Sequence, residues 1–182
     1  NAEVTAWISL VEALIHFYSQ PGPKALDRLR RAPALSRAMS HPVLAPLCAA
    51  WLAHIEFNAN RMEPMLQYAV EALRLAKPEH HAALARVSLV IADAFHYAGR
   101  FDLAKPWYAA VRDHALAEGD EARIGDAQHG MAVTGDHAAA AERFAGERIE
   151  LLIGRIAVEL LDHHFDPRQT FLIGETVQRT GE

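Results

Sequence analysis

Val90-Ile91-Ala92-Asp93-Ala94-Phe95-His96-Tyr97-Ala98-Gly99-Arg100-Phe101-Asp102-Leu103-Ala104, followed closely by Trp107-Tyr108, is the stretch that decides the fold. An apolar helical run ends at Gly99, and a new helix begins near Asp102. Ala92, Phe95, Gly99, Ala104 and Tyr108 stand at steps of 3, 4, 5 and 4. The physical sense of the pattern is local. The turn needs a residue that tolerates positive φ, which glycine does at no steric cost. The small residue after it lets two helices approach closely, and the aromatic one turn further on fills the gap between neighbouring hairpins.

The same steps recur on both sides. Downstream they select Gln128, Met131, Gly135, Ala140 and Phe144; upstream, Ala53, Glu56, Asn60, Met65 and Ala69. The turn residues Asn60, Gly99 and Gly135 are thus 39 and 36 apart. A recurrence at about 36 to 39 residues points to a helical-repeat architecture.

Composition agrees. Of 182 residues, 51% are hydrophobic and 23% charged. Ala (35) and Leu (20) far outnumber Val (10) and Ile (9), so helix formers dominate and strand formers are scarce. Trp7, Leu10, Val11, Leu14, Ile15 and Tyr18 have the spacing of one amphipathic helix, ended by Pro21-Gly22-Pro23. A short basic helix follows over about Lys24–Arg31, then one or two helical turns over Ala34–Met39. Ser40-His41-Pro42 reads as a start signal for a helix over about Val43–Asn58. Further helices are predicted over about Glu63–Ala76, His81–Tyr97 and Asp102–Ala117, the last stopped by Glu118-Gly119-Asp120.

The pattern resembles the tetratricopeptide repeat, in particular the longer-period form found in bacterial regulators of the maltose-activator type. Val90–Tyr108 carries the best match and Gly135–Phe144 a second. The unit around Asn60 departs from it, with Met65 in place of the usual small residue and Glu56 in place of the usual aromatic. Ser88 stands where the family's early tryptophan would be. The resemblance implies an all-α, right-handed superhelix of antiparallel helical hairpins. The expected organisation is a single domain. It has a degenerate hairpin in 1–40, repeats over 43–77 and 81–118, a third over 121–165 with a long second helix, and a C-terminal capping helix over 166–180 opened by Asp166-Pro167. The start at Asn1-Ala2 without methionine suggests an excised piece of a longer protein.

Several function classes are disfavoured. A formal net charge of -5 and a single basic cluster (Lys24, Arg28, Arg30, Arg31) argue against nucleic-acid binding by this module. The stretch Ala38–Ile55 lacks Asp, Glu, Lys and Arg, but Pro42, Pro46, His41 and His54 make it a poor membrane span. The lone Cys48 sits among apolar neighbours, reads as a core residue and fits a reducing, cytoplasmic setting. None of the common phosphate-loop, nucleophile-elbow, zincin or paired-cysteine motifs occurs. Eleven histidines invite a metal. Glu12/His16 and Glu159/His163 have i, i+4 spacing and Asp126/His129 i, i+3, yet the ligand set of a di-iron bundle is absent, and neither metal nor cofactor is expected.

The resemblance further implies that the first helix of each unit lines a concave face. The residues following Ala53, Ala92 and Gln128 are His54, Asp93 and His129. With Trp51, Asn58, Arg86, His96, Tyr97 and Asp126, and beside Phe57, Leu89 and Val133, they form the candidate groove. An aromatic-rich groove with few charges suits a peptide or a partner helix. The expected function is therefore a non-enzymatic protein- or peptide-interaction module, a regulatory or sensor part of a larger bacterial signalling or transcription protein. The alternative is a small all-α enzyme or metal-binding protein using His and Asp residues of the same face. The apolar stripe Ile149, Leu152, Ile153, Ile156 and Leu160, widened by Leu151, Val158 and Leu161, predicts a homodimer or inter-domain contact through 147–178.

Overall fold

The computed structural model describes residues 1–20 and 25–137. The predicted turn at Pro21-Gly22, the second helix of the third repeat, the capping helix over 166–180 and the interface over 147–178 lie outside the described residues. Eight helices and no strand occur among the described residues. They are α1 (Ala2–Ser19), α2 (Ala25–Arg30), α3 (Pro33–Met39), α4 (Ala45–Asn58), α5 (Met62–Leu75), α6 (His81–Tyr97), α7 (Phe101–Glu118) and α8 (Glu121–His137). None of these helices is long and apolar enough to cross a membrane.

Two helix ends share one backbone geometry. At the end of α4, Asn60 N donates to Phe57 O (2.9 Å) and Arg61 N to Glu56 O (2.9 Å). At the end of α6, Gly99 N donates to His96 O (2.9 Å) and Arg100 N to Phe95 O (2.9 Å). Both are Schellman caps, in which a left-handed residue lets the chain satisfy the last helical carbonyls. Asn60 (φ 55) and Gly99 (φ 71) supply that residue, as their place in the pattern requires. Gly119 (φ 70) closes α7 the same way, with Asp120 N donating to Ala115 O at 2.9 Å. Asp120 then caps α8, its carboxylate accepting from Arg123 N at 3.1 Å.

Small residues set the packing. Ala53, Ala92 and Ala104 are wholly buried and Ala69 nearly so. α4 packs on α5 and α6, α6 on α7, and α8 on α7 and α6. One core runs through these helices around Met65, Ile91, Phe95, Trp107 and Val111. A second joins α1, α2, α3 and the outer side of α4 around Leu10, Leu29, Leu35, Leu44 and Leu52.

Four readings need correction. The proline in the first turn of α4 is Pro46, not Pro42. His41–Leu44 forms a tight turn, with Leu44 N and Ala45 N both donating to His41 O (3.0 and 2.8 Å), and the helix starts after it. Gly135 is not a turn residue: α8 runs past it to His137. Gln128 does not take the buried place of Ala92, because Ala127 is the buried residue and Gln128 is exposed. The helix there faces α7 through glycine, which shifts the repeat register. Finally, α1 buries only Leu10 of its predicted apolar stripe, with Leu14 half-buried. It packs through Ala6, Ser9, Leu10 and Ala13, and leaves Val4, Trp7, Ile8, Val11, Ile15 and Tyr18 exposed.

Candidate functional site

Helix α6 packs against both α4 and α8, so the faces these three helices share hold most of the residues singled out from the sequence. Trp51, His54 and Asn58 follow one another on α4 at helical spacing. The Trp51 ring is met edge-on by His54, with centroids 5.8 Å apart and planes at 87°. Its flat face carries the Arg86 guanidinium from α6, 4.0 Å from the ring centroid. This is a cation–π stack that bridges two helices.

The polar groups around it are held by specific partners. Asn58 Nδ2 donates to His54 Nε2 at 3.0 Å. Burial, then the charge of Arg86, pushes His54 down to about 4, so the ring is neutral at physiological pH. With Nε2 accepting, the ring proton belongs on Nδ1, which is buried and has no hydrogen-bond partner among the described residues. Arg86 is itself pushed down to about 10, first by burial and then by the nearby Arg123 charge; Tyr18, Asp120 and Asp126 oppose that shift. Arg123 is held in turn by Asp120, Nη1 to Oδ2 at 3.0 Å.

Asp93, one residue past the buried Ala92, is half-buried and accepts a hydrogen bond from the Tyr108 hydroxyl on α7 at 2.8 Å. Burial raises its pKa, the Tyr108 bond opposes this, and the Asp126 charge adds to it. Tyr108 is raised by burial and by Asp93. The ring of Tyr108 lies against the backbone of α8 at Gly130. A Cβ there would sit 2.4 Å from Tyr108 Cε1, so only glycine fits.

The structure therefore brings Trp51, His54, Asn58 and Arg86 into one cluster, and places Asp126 within electrostatic reach of both Arg86 and Asp93. His96 is half-buried among the rings of Tyr97, Phe101 and Tyr108, with centroid distances of 6.0, 5.1 and 6.4 Å. Tyr97 is 78% exposed and touches Phe57 (5.7 Å), which extends the aromatic surface toward the end of α6. His129 stands exposed on α8, with no hydrogen bond, ion pair or ring contact to the other members among the described residues. Leu89 belongs to the core.

Three polar arrangements were not singled out from the sequence. Arg123 and Asp120 join the Arg86 neighbourhood; the signal was Asp120 as a cap with an arginine three residues on. Glu56 is fully buried between α2 and the α4–α5 turn, hydrogen-bonded to Arg30 and ion-paired with Arg61, whose Nε lies 3.2 Å away without forming a hydrogen bond. Its signal was the acidic residue standing at an aromatic position of the repeat. His81 and His114 meet Nδ1 to Nδ1 at 3.1 Å, and burial followed by the His81 charge pushes His114 down to about 4. Among the described residues no group of three or more His, Cys, Asp or Glu is placed to hold a metal ion. Cys48 is buried and pushed up to about 12, so its thiol is protonated and unreactive at neutral pH. A cavity of about 210 Å³ between α1 and α2, near Phe17 and Arg28, is smaller than the roughly 300–1,000 Å³ of a small-molecule site. No protein-family model, no curated protein and no solved structure matches this chain.

Proposed function

We propose that this chain is a non-catalytic interaction module. It is a tetratricopeptide-like stack of helical hairpins whose inner helices α4, α6 and α8 receive a peptide or a partner helix. The observation that carries the reading is the Arg86–Trp51–His54 cluster. A half-buried tryptophan, a stacked guanidinium and an unpartnered ring N–H sit together on the face shared by consecutive hairpins. Interaction surfaces are enriched in aromatic residues and arginine, which combine apolar area with directional polar contacts. The 39-residue recurrence of the Schellman caps at Asn60 and Gly99 supports the repeat architecture. The free Cys48, the single cysteine of the sequence, is in keeping with a reducing, cytoplasmic setting, and we read the module as a regulatory or sensor part of a larger signalling or transcription protein.

Selection from a random peptide library tests the proposal. Peptides enriched on the wild-type protein should lose binding to Trp51→Ala and keep it toward Arg74→Ala, whose arginine is exposed on α5 and paired with Glu71. Peptides indifferent to Trp51, or no enrichment at all, would overturn the assignment of this face.

A further inference from the structure

We propose that Arg86, laid over Trp51 beside His54, is a receptor for a carboxylate carried by the ligand of this face. The inference rests on the interaction-module reading and names the chemistry that the ligand must bring.

The first observation is a missing counter-ion. Among the half-buried arginines of the described residues, Arg30, Arg100, Arg112 and Arg123 each meet a carboxylate within ion-pair distance. Arg86 meets none, and its buried Nε donates no hydrogen bond among the described residues. The nearest carboxylates act on it only through space: Asp120 is already held by Arg123, and Asp126 is exposed. A guanidinium taken from water without a partner is costly, and an anion supplied from outside relieves that cost.

The second observation is orientation. The guanidinium carbon lies 4.0 Å over the Trp51 ring, a contact that restricts where the group can sit, and a planar fork of N–H donors matches the two oxygens of a carboxylate. The third is a second donor. Asn58 occupies His54 Nε2, which leaves Nδ1–H buried, unpartnered and on the same tryptophan. A neutral imidazole here donates without adding charge. Arg123 adds positive potential beside the site, and unlike Arg86 it already has a carboxylate, Asp120, at 3.0 Å.

Two sources can present a carboxylate: an acidic side chain or a chain terminus. The test uses small probes at constant ionic strength, read by the Arg86 Nε–Hε resonance in arginine-edited NMR. N-acetylglutamate amide presents a side-chain carboxylate, N-acetylglycine a terminal one, and N-acetylglutamine amide is the neutral match. Saturable shifts of Arg86 with either acid, and none with the glutamine amide, are expected; the acid that shifts it identifies the source. Variants at position 86 lack that resonance and are read at the Trp51 indole N–H, which lies beside the site; Arg86→Gln should lose binding by about tenfold or more, because a charge-assisted pair is removed. Arg86→Lys keeps the charge but not the fork. It should bind more weakly than wild type, and it supplies the reading if Arg86→Gln fails to fold. His54→Gln should weaken the shift with less effect. Equal shifts with acid and amide, or with sodium chloride alone, would overturn the receptor. Library peptides that need Trp51 but bind Arg86→Gln unchanged would also overturn it and leave the interaction module standing. Acid binding without any peptide selection would leave the receptor and remove the module.

Discussion

Two glycines on α8 should respond to alanine with opposite signs. Gly125 is exposed, and a Cβ there meets nothing within 4 Å. Gly130 is buried, and a Cβ there would lie 2.4, 2.5 and 2.7 Å from three Tyr108 ring atoms. Both are helical, so alanine gains about 1 kcal/mol of helix propensity at either position. At 125 that gain stands alone, and Gly125→Ala should be stabilising by up to about 1 kcal/mol. At 130 the Tyr108 ring must move by nearly an ångström. It is not free to do so, because its hydroxyl is tied to Asp93 at 2.8 Å. Overpacking of this kind costs about 1–3 kcal/mol. If the tyrosine escapes by releasing Asp93, a bond to a charged group worth about 1.5–3 kcal/mol is lost as well. The clash outweighs the propensity gain. At roughly 2–4 °C per kcal/mol for a chain of this size, Gly130→Ala should melt several degrees below wild type. Thermal and urea melts read both variants. The decisive measurement is a double-mutant cycle with Tyr108→Ala, which removes the obstacle. In that background Gly130→Ala should turn neutral or stabilising. A Gly130→Ala protein that melts at or above wild type, or a penalty that survives the loss of the Tyr108 ring, would refute the packing.

Ala104→Leu, at a wholly buried position, should cost about 1–3 kcal/mol in a urea melt; an unchanged midpoint would mean that the close contact after Gly99 has been misread. Arg30→Met should be more destabilising than Glu56→Leu, since the first leaves a fully buried carboxylate with Arg61 alone, while the second frees two arginines that are 28% and 44% exposed to reach water; the reverse order of melting temperatures would contradict the burial of Glu56. His54 and His114 are both held near 4, below the ordinary 6.5, so the unfolded chain binds more protons between those values and stability should fall as pH drops from about 6.5 toward 4. Replacing both by Gln should flatten that slope in melts between pH 5 and about 6.5, whereas an unchanged slope would show that these rings are not kept neutral.

The turns were legible because their chemistry is local. Asn60, Gly99 and Gly119 each sit where a helix must reverse, and left-handed φ is a property that few residues supply. The buried alanines were legible for the same reason: Ala53, Ala92 and Ala104 recur at fixed steps from those turns. The register of α8 was not legible. Gly125, Gly130 and Gly135 all look like stop signals in one dimension, and only the position of the Tyr108 ring explains why Gly130 belongs inside a helix. In the candidate site, His54 and Asp93 were read from their place next to the buried alanines, and Trp51 and Arg86 as neighbours on the same face. Arg123 did not, because its role depends on how α8 is turned about its axis. The Arg30–Glu56 pair joins residues 26 apart in sequence, and no periodicity links a short basic helix to a glutamate in the next hairpin. The exposed stripe of α1 shows the limit from the other side. Spacing identifies an apolar face, but whether a helix packs with its large or its small residues is decided by the neighbour's shape.

The same packing that builds the core also desolvates charged side chains on α6. Ala83, Ala85, Ala92 and Ala94 on α6 are buried and small, which lets α4, α7 and α8 come close. Close approach removes water from whatever polar side chains share the helix, and on α6 these include Arg86 and Asp93. The two have opposite charges but stand seven residues apart, about 10 Å along the helix axis. That separation is too long for a hydrogen bond, and the charges acting on each are others: Arg123, Tyr18, Asp120 and Asp126 on Arg86, and Asp126 on Asp93. Each is therefore served differently. Asp93 is satisfied from within by Tyr108, which is itself locked against Gly130. Arg86 has only an aromatic face, which orients a guanidinium but does not neutralise it. A helix built for close packing has thus left one of its two desolvated charges hydrogen-bonded within the fold and the other, among the described residues, without a carboxylate at ion-pair distance and balanced only through space. A charge so weakly balanced at a half-buried position raises the free energy of the unliganded state. That free energy becomes available to whatever anion binds there.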